Sequence, residues 1–126
     1  MTIAPNVERI IPVSRDDNGK VETYAKELYF NAYPYSLMIR YFSKDRESFS
    51  NDNHYVVIEN LKQDAAVQLD AINRFEIDAN GYEVNVTMWS SLVETAEELR
   101  EVAKLLEDTA DAKELFQNVL NEHFGN

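Results

Sequence analysis

A chain of 126 residues fits one domain, and a chain of this size buries roughly two-thirds of its unfolded surface, enough for a core without metal or disulfide staples. There is no cysteine, which excludes disulfides, thiolate chemistry and Cys-ligated zinc. The net charge is −11, divided as −1 over residues 1–63 and −10 over residues 64–126, so the C-terminal half repels phosphate backbones and ordinary nucleic-acid binding is not expected there.

Val7 to Ser14 reads as a first strand, apolar at Val7, Ile10, Ile11 and Val13, with Pro12 marking an edge position or a bulge. Asp16-Asp17-Asn18-Gly19 predicts a hairpin turn. A calcium loop in the EF-hand register fails, because setting Gly19 at the invariant glycine puts Ser14 and Ala25 where the charged ends belong. Lys20 to Phe30 fits a helix or a strand, and its Tyr and Phe content, with a turn on each side, favours the strand. Pro34, within Asn31 to Tyr35, reverses the chain. Leu37, Ile39 and Tyr41 then alternate with Met38, Arg40 and Phe42, a strand with bulk on both faces. Ser43 to Asn53 is an exposed loop with Phe49 as its anchor or contact residue. His54 to Glu59 is another strand apolar on both faces, Tyr55 and Val57 on one and Val56 and Ile58 on the other.

Residues 60–73 fit a short helix through Ala65, Ala66, Leu69 and Ile72, or a strand through Val67, Leu69 and Ala71. Arg74 to Ile77 pairs across the Asp78-Ala79-Asn80-Gly81 turn with a strand carrying Tyr82, Val84, Val86 and Met88. Ser91 and Glu94 are spaced as a capping box, and Leu92, Ala96, Leu99, Ala103 and Leu106 repeat at helical spacing. Glu107-Asp108-Thr109 interrupts that pattern, and Thr109 or Asp111 caps a second helix. Ala112, Leu115, Phe116, Val119, Leu120 and His123 share one face of it, and Gly125 closes it.

The expected fold is therefore α+β in a single domain spanning residues 1–126. An antiparallel sheet of about five or six strands, over about residues 7–89, is followed by a C-terminal two-helix hairpin, over about 91–124, packed on one face. Helices that close the chain cover one face of the sheet, while two strands are apolar on both. A second surface is left to bury, and a homodimer is the expected way to bury it.

All three glycines fall at turns or at a helix end, so there is no phosphate cradle, dinucleotide fingerprint or nucleophile elbow. His54 and His123 lack metal-ligand spacing and read as structural or solvated. No catalytic residue, metal or cofactor is assigned. A small hydrolase or transferase would need His54 or a carboxylate pair in a cleft that no motif announces, and that reading ranks last.

Two binding readings precede it. The excess of carboxylates on the helices, with Glu94, Glu97, Glu98 and Glu101 on a solvent-facing side, suits a basic partner protein that is steered in by charge. The expected function is a non-enzymatic inhibitor, as an immunity protein or a phage-borne inhibitor of a host defence system would be. The alternative is a dimeric protein that sequesters a nucleotide-like small molecule. Nine of the 14 aromatic residues lie between Tyr24 and Tyr55, with Arg40 and Arg46 among them. Tyr33, Tyr35, Arg40, Tyr41, Phe42, Arg46 and Tyr55 would stack on and clamp such a ligand. Met1 to Pro12 has no apolar run of the signal-peptide kind and no later stretch approaches the ~20 apolar residues of a membrane span. A cytoplasmic location without a membrane partner is expected.

Overall fold

The computed structural model describes residues 2–61, 73–78, 80–88 and 94–125. Among the described residues six strands precede one helix: β1 Val7–Arg15, β2 Val21–Ala32, β3 Tyr35–Ser43, β4 His54–Asn60, β5 Asn73–Asp78, β6 Glu83–Met88 and α1 Ala96–Phe124. All ladders are antiparallel and connect sequence neighbours. The ambiguous stretch at residues 62–72 and the expected cap at Ser91 and Leu92 lie outside the described residues.

The turns form where the sequence places them. Asp16 Oδ1 accepts from the amides of Asn18 and Lys20 at 2.9 Å each, and Gly19 takes the left-handed φ of 83° that closes the β1–β2 hairpin. Pro34 turns β2 into β3, with the Tyr33–Pro34 bond cis. Register shifts flank Ser14 in β1, next to Pro12, which cannot donate to the ladder.

Two expectations about architecture are corrected. The strands do not form one sheet of five or six members. β1–β4 make a four-stranded sheet in sequence order and β5–β6 make a separate two-stranded one. The β5–β6 hairpin is held by side chains. Phe75 packs edge-on against Tyr35 at 4.7 Å and against Phe116 at 6.2 Å. The β6 edge turned from β5 is met by the helix: Val84 N–H donates to Gln117 Oε1 at 2.8 Å and Lys113 Nζ donates to Val84 O at 2.8 Å. Gln117 Nε2 also donates to Tyr82 O at 3.1 Å.

Nor is there a helical hairpin. A single 29-residue helix runs through Glu107, Asp108 and Thr109 without a break. That segment holds no glycine or proline. The Thr109 hydroxyl satisfies itself inside the helix by donating to Leu105 O at 2.7 Å, and Tyr35 OH meets it at 2.9 Å. A good capping residue is thus accommodated mid-helix by back-bonding. The true N-cap is Thr95, whose side chain accepts from Glu98 N at 3.1 Å. Gly125 ends the helix as expected, with φ 78° and its N–H bonded to Asn121 O at 2.9 Å.

The core lies between α1 and one face of the four-stranded sheet. Pleating sends Leu28 and Phe30 of β2, and Tyr35, Leu37, Ile39 and Tyr41 of β3, toward the helix, in register as Leu28↔Ile39 and Phe30↔Leu37. Leu105, Ala112, Phe116, Val119 and Leu120 meet them, with Val84 from the hairpin. Phe49 packs against this core from the β3–β4 loop, as its anchor reading required. The leucine stripe of the helix's first half behaves differently. Leu99 is 59% and Leu106 43% exposed, and Ala96 and Ala103 are exposed as well. A 29-residue helix is about 43 Å long, longer than the ~30 Å of a nine-residue strand, and its buried positions begin at Leu105.

Candidate functional site

The first candidate surface is the outer side of α1. Glu97, Glu98 and Glu101 lie in its first two turns, and Glu94 just precedes the cap. Their roles divide. Glu98 accepts from the Thr95 hydroxyl at 3.0 Å, and with Glu97 it offsets the positive end of the helix dipole. Glu94, Glu97 and Glu101 are exposed, and the carboxylates continue beyond them through Glu107, Asp111 and Glu114, all exposed. The helix carries eight carboxylates against Arg100, Lys104 and Lys113. Lys113 is drawn to Val84 O, and Lys104–Asp108, at 3.5 Å, is the one ion pair within the helix among the described residues. The exposed leucines at 99 and 106 lie on this element too.

The second surface is the sheet face turned away from α1. Here Glu27 is fully buried between two arginines. Arg9 Nε reaches Glu27 Oε1 at 2.6 Å, Arg40 Nε reaches Oε2 at 2.8 Å, and Arg40 Nη2 also contacts Oε2. Tyr29 OH donates to Oε1 at 3.3 Å and accepts from Arg9 Nη2 at 3.3 Å. The register explains the meeting, since Arg9↔Glu27 and Glu27↔Arg40 are directly opposed across three strands. Burial pushes the Glu27 carboxyl up, but the hydrogen bonds and charges of Arg40 and Arg9 outweigh it and hold the group below its ordinary value. The sequence reading missed Arg9 and Glu27, and counted Tyr29 only within the aromatic run from Tyr24 to Tyr55. A charged residue at every-other spacing between Ala25 and Tyr29 was the available signal.

The seven residues of the ligand reading are divided by the pleat. Arg40, Phe42 and Tyr55 share the face away from the helix, in register with Glu27, Ala25 and Arg40 respectively. Tyr35 and Tyr41 are buried on the helix side. Tyr33 stands 71% exposed in the β2–β3 turn, and Arg46 lies 5.5 Å from the centre of the Tyr24 ring. The structure therefore brings three of the seven together and places them beside the arginine–glutamate network.

The two histidines converge at the C-terminal end of α1 in an aromatic seam. His54 Nε2 bonds Tyr82 OH at 2.9 Å and its Nδ1 bonds Asn51 O at 2.7 Å, while His123 Nδ1 bonds Tyr41 OH at 2.8 Å. Phe124 stacks on Tyr82 at 4.2 Å and lies 4.6 Å from His54. Burial, with the charge of Tyr82, pushes the Tyr41 phenol up to about 12. Burial and Lys26 hold His123 below the usual imidazole range against the opposing pull of Glu122. These bonds join β3, β4, the turn before β6 and the helix end. Among the described residues no group of three potential metal ligands comes together, and no helix is long and apolar enough to cross a membrane.

The chain matches no protein-family model, no curated protein and no solved structure.

Proposed function

We propose that this is a non-enzymatic binding protein of the inhibitor kind, acting in the cytoplasm as immunity proteins or phage-borne anti-defence proteins do, and that it docks a basic protein partner on the outer side of α1. The observation that carries the reading is the excess of exposed carboxylates, Glu94 just before α1 and Glu97, Glu101, Glu107, Asp111 and Glu114 on it, over the exposed cations Arg100 and Lys104 that lie among them. Exposed Leu99 and Leu106 on the same element supply apolar anchors within a polar surround, the arrangement in which interface energy concentrates. Charge gives such a surface its association rate and its salt dependence.

The test is recovery of a partner from host lysate by the tagged protein, compared with a variant carrying Glu94→Gln, Glu97→Gln, Glu98→Gln and Glu101→Gln. The expected partner is a basic protein, lost from the variant and from the parent as salt is raised. A variant that keeps full biological activity and full partner recovery overturns the reading.

A second reading, sequestration of a nucleotide-like anion, is supported by Arg40, Phe42 and Tyr55 sharing one face with Arg9 and Tyr29. Tyr55→Ala is its discriminating variant, because Tyr55 is half-exposed and its loss leaves Glu27 paired. Nucleotide retained by the parent and lost from Tyr55→Ala would favour this reading over the first.

A further inference from the structure

We infer that the first half of α1 pairs antiparallel with the same stretch of a second copy of this chain, along an apolar seam of Ala96, Leu99, Ala103, Leu106 and Ala110. These residues recur at alternating steps of three and four, the heptad spacing of a two-helix seam. All five are exposed, Leu99 at 59% and Leu106 at 43%. They are not the core face. Ala103, Leu106 and Ala110 directly follow the inward residues Val102, Leu105 and Thr109, and one residue turns the helix by about 100°. The seam begins where the helix has outrun its own sheet, since the buried positions start only at Leu105.

The seam is complementary to itself when reversed, which selects a second copy as the occupant. With Leu99 set against Ala110 of the second copy, and Ala103 against its Leu106, a two-fold axis repeats both contacts, so each layer packs a leucine on an alanine. Arg100 and Glu107 each follow a leucine of the seam and line one flank of it. In this register Arg100 meets Glu107 of the second copy, and Glu107 meets its Arg100. Both side chains are exposed, and among the described residues neither has an ion pair within its own chain. Sliding the copies by one heptad sets Arg100 against Arg100 in one direction and Glu107 against Glu107 in the other, so charge fixes the register. A parallel pair would stack leucine on leucine and bring both sheets to the same end. The antiparallel pair sends them to opposite ends.

From Ala96 to Ala110 the helix rises about 21 Å. A strip of that length is at the low end of interface sizes, and it supports a weak dimer that dissociates on dilution. Glu94, Glu97 and Glu101 lie outside the seam, so the inference does not rest on the docking reading. A basic partner that anchors on Leu99 and Leu106 displaces the second copy.

Sedimentation equilibrium from micromolar to submillimolar protein tests the inference. The species expected at the upper concentrations has twice the 14.6 kDa chain mass. Leu99→Gln with Leu106→Gln is expected to raise the dimer Kd at least about tenfold, with circular dichroism unchanged because both side chains are exposed. Arg100→Glu alone and Glu107→Arg alone each put like charges at both ion-pair positions, and each is expected to weaken the dimer. Mixed in equal amounts, those two variants regain opposite charges at both positions, so a tagged copy of one is expected to capture the other. A change of fold would not produce that rescue. Glu97→Gln with Glu101→Gln is expected to keep the dimer while weakening a basic partner, which separates failure here from failure of the docking reading. A 14.6 kDa species throughout, a dimer indifferent to the leucine variants, or a mixture no more associated than its two components overturns the inference.

Discussion

The two faces of the four-stranded sheet solve the same burial problem by different means. On one, Phe30, Leu37 and Ile39 are sealed under α1 by Phe116, Val119 and Leu120, with the Tyr35–Thr109 hydroxyl pair among them. On the other, no helix of the described chain intervenes, and the central position of β2 is a carboxylate covered by the arginines of its two neighbours. The apolar side sets register through the pleat, since a one-residue slip would turn its core residues outward, and the buried charge adds a second condition, because it is stable only when each partner is in place. The helix side therefore supplies most of the stability, and the far side adds a polar constraint on the same strand register.

The largest effect is expected from Phe116→Ala. It removes a fully buried ring from the helix side at a cost of about 3–5 kcal/mol in denaturant unfolding. A loss below about 1 kcal/mol would break the contrast, because it would place the centre of the core elsewhere.

Next comes Arg40→Ala on the far side, which leaves buried Glu27 with one arginine. A loss of about 2–3 kcal/mol is expected. The sheet should also lose register specificity, read as broadened amide resonances in β2 and β3.

The pH dependence sharpens the same point. Because the folded-state pKa of Glu27 lies below its ordinary value of 4.5, its contribution is fully present above that pH. It is lost as pH falls through the folded value. Unfolding free energy followed from pH 6 downward should drop below about pH 4.5 in the parent, and the part due to Glu27 should shrink in Arg40→Ala. An identical acid limb in both proteins would remove Glu27 from the account.

The smallest effect is expected from Leu99→Ala, within about 0.5 kcal/mol, since that side chain is 59% exposed. It belongs to the comparison as the control showing that a leucine on α1 matters to folding only where it meets the sheet.

Much of this fold was legible locally. Alternation located most of the strands, with β2 assigned from its aromatic content and flanking turns, the Asp16 to Gly19 turn was written in its residues, and the face from Ala112 to His123 was read correctly as the buried one. The β5–β6 turn was placed correctly, but its left-handed φ falls on Tyr82 and not on Asn80 or Gly81. Continuity of the helix was not legible, because Thr109 has the chemistry of a cap and only the partner hydroxyl of Tyr35, far off in sequence, shows why it sits mid-helix. The division into two sheets was hidden for a similar reason, since what meets the β6 edge is Gln117 and Lys113. The aromatic run from Tyr24 to Tyr55 looked like one cluster along the chain, yet the pleat sends Tyr41 and Tyr55 to opposite faces. The Arg9–Glu27–Arg40 network depends on the register of three strands, which no single segment encodes.

The helix side chains on Val84 carry a consequence for how the protein is made. The four-stranded ladder is complete once Asn60 has been synthesised, so that sheet assembles from local hairpins early on the ribosome. The open edge of β6 has no such neighbour until Lys113 and Gln117, some thirty residues later, have been translated and α1 has docked. During that interval the nascent chain presents an unpaired strand edge, the feature most prone to intermolecular pairing.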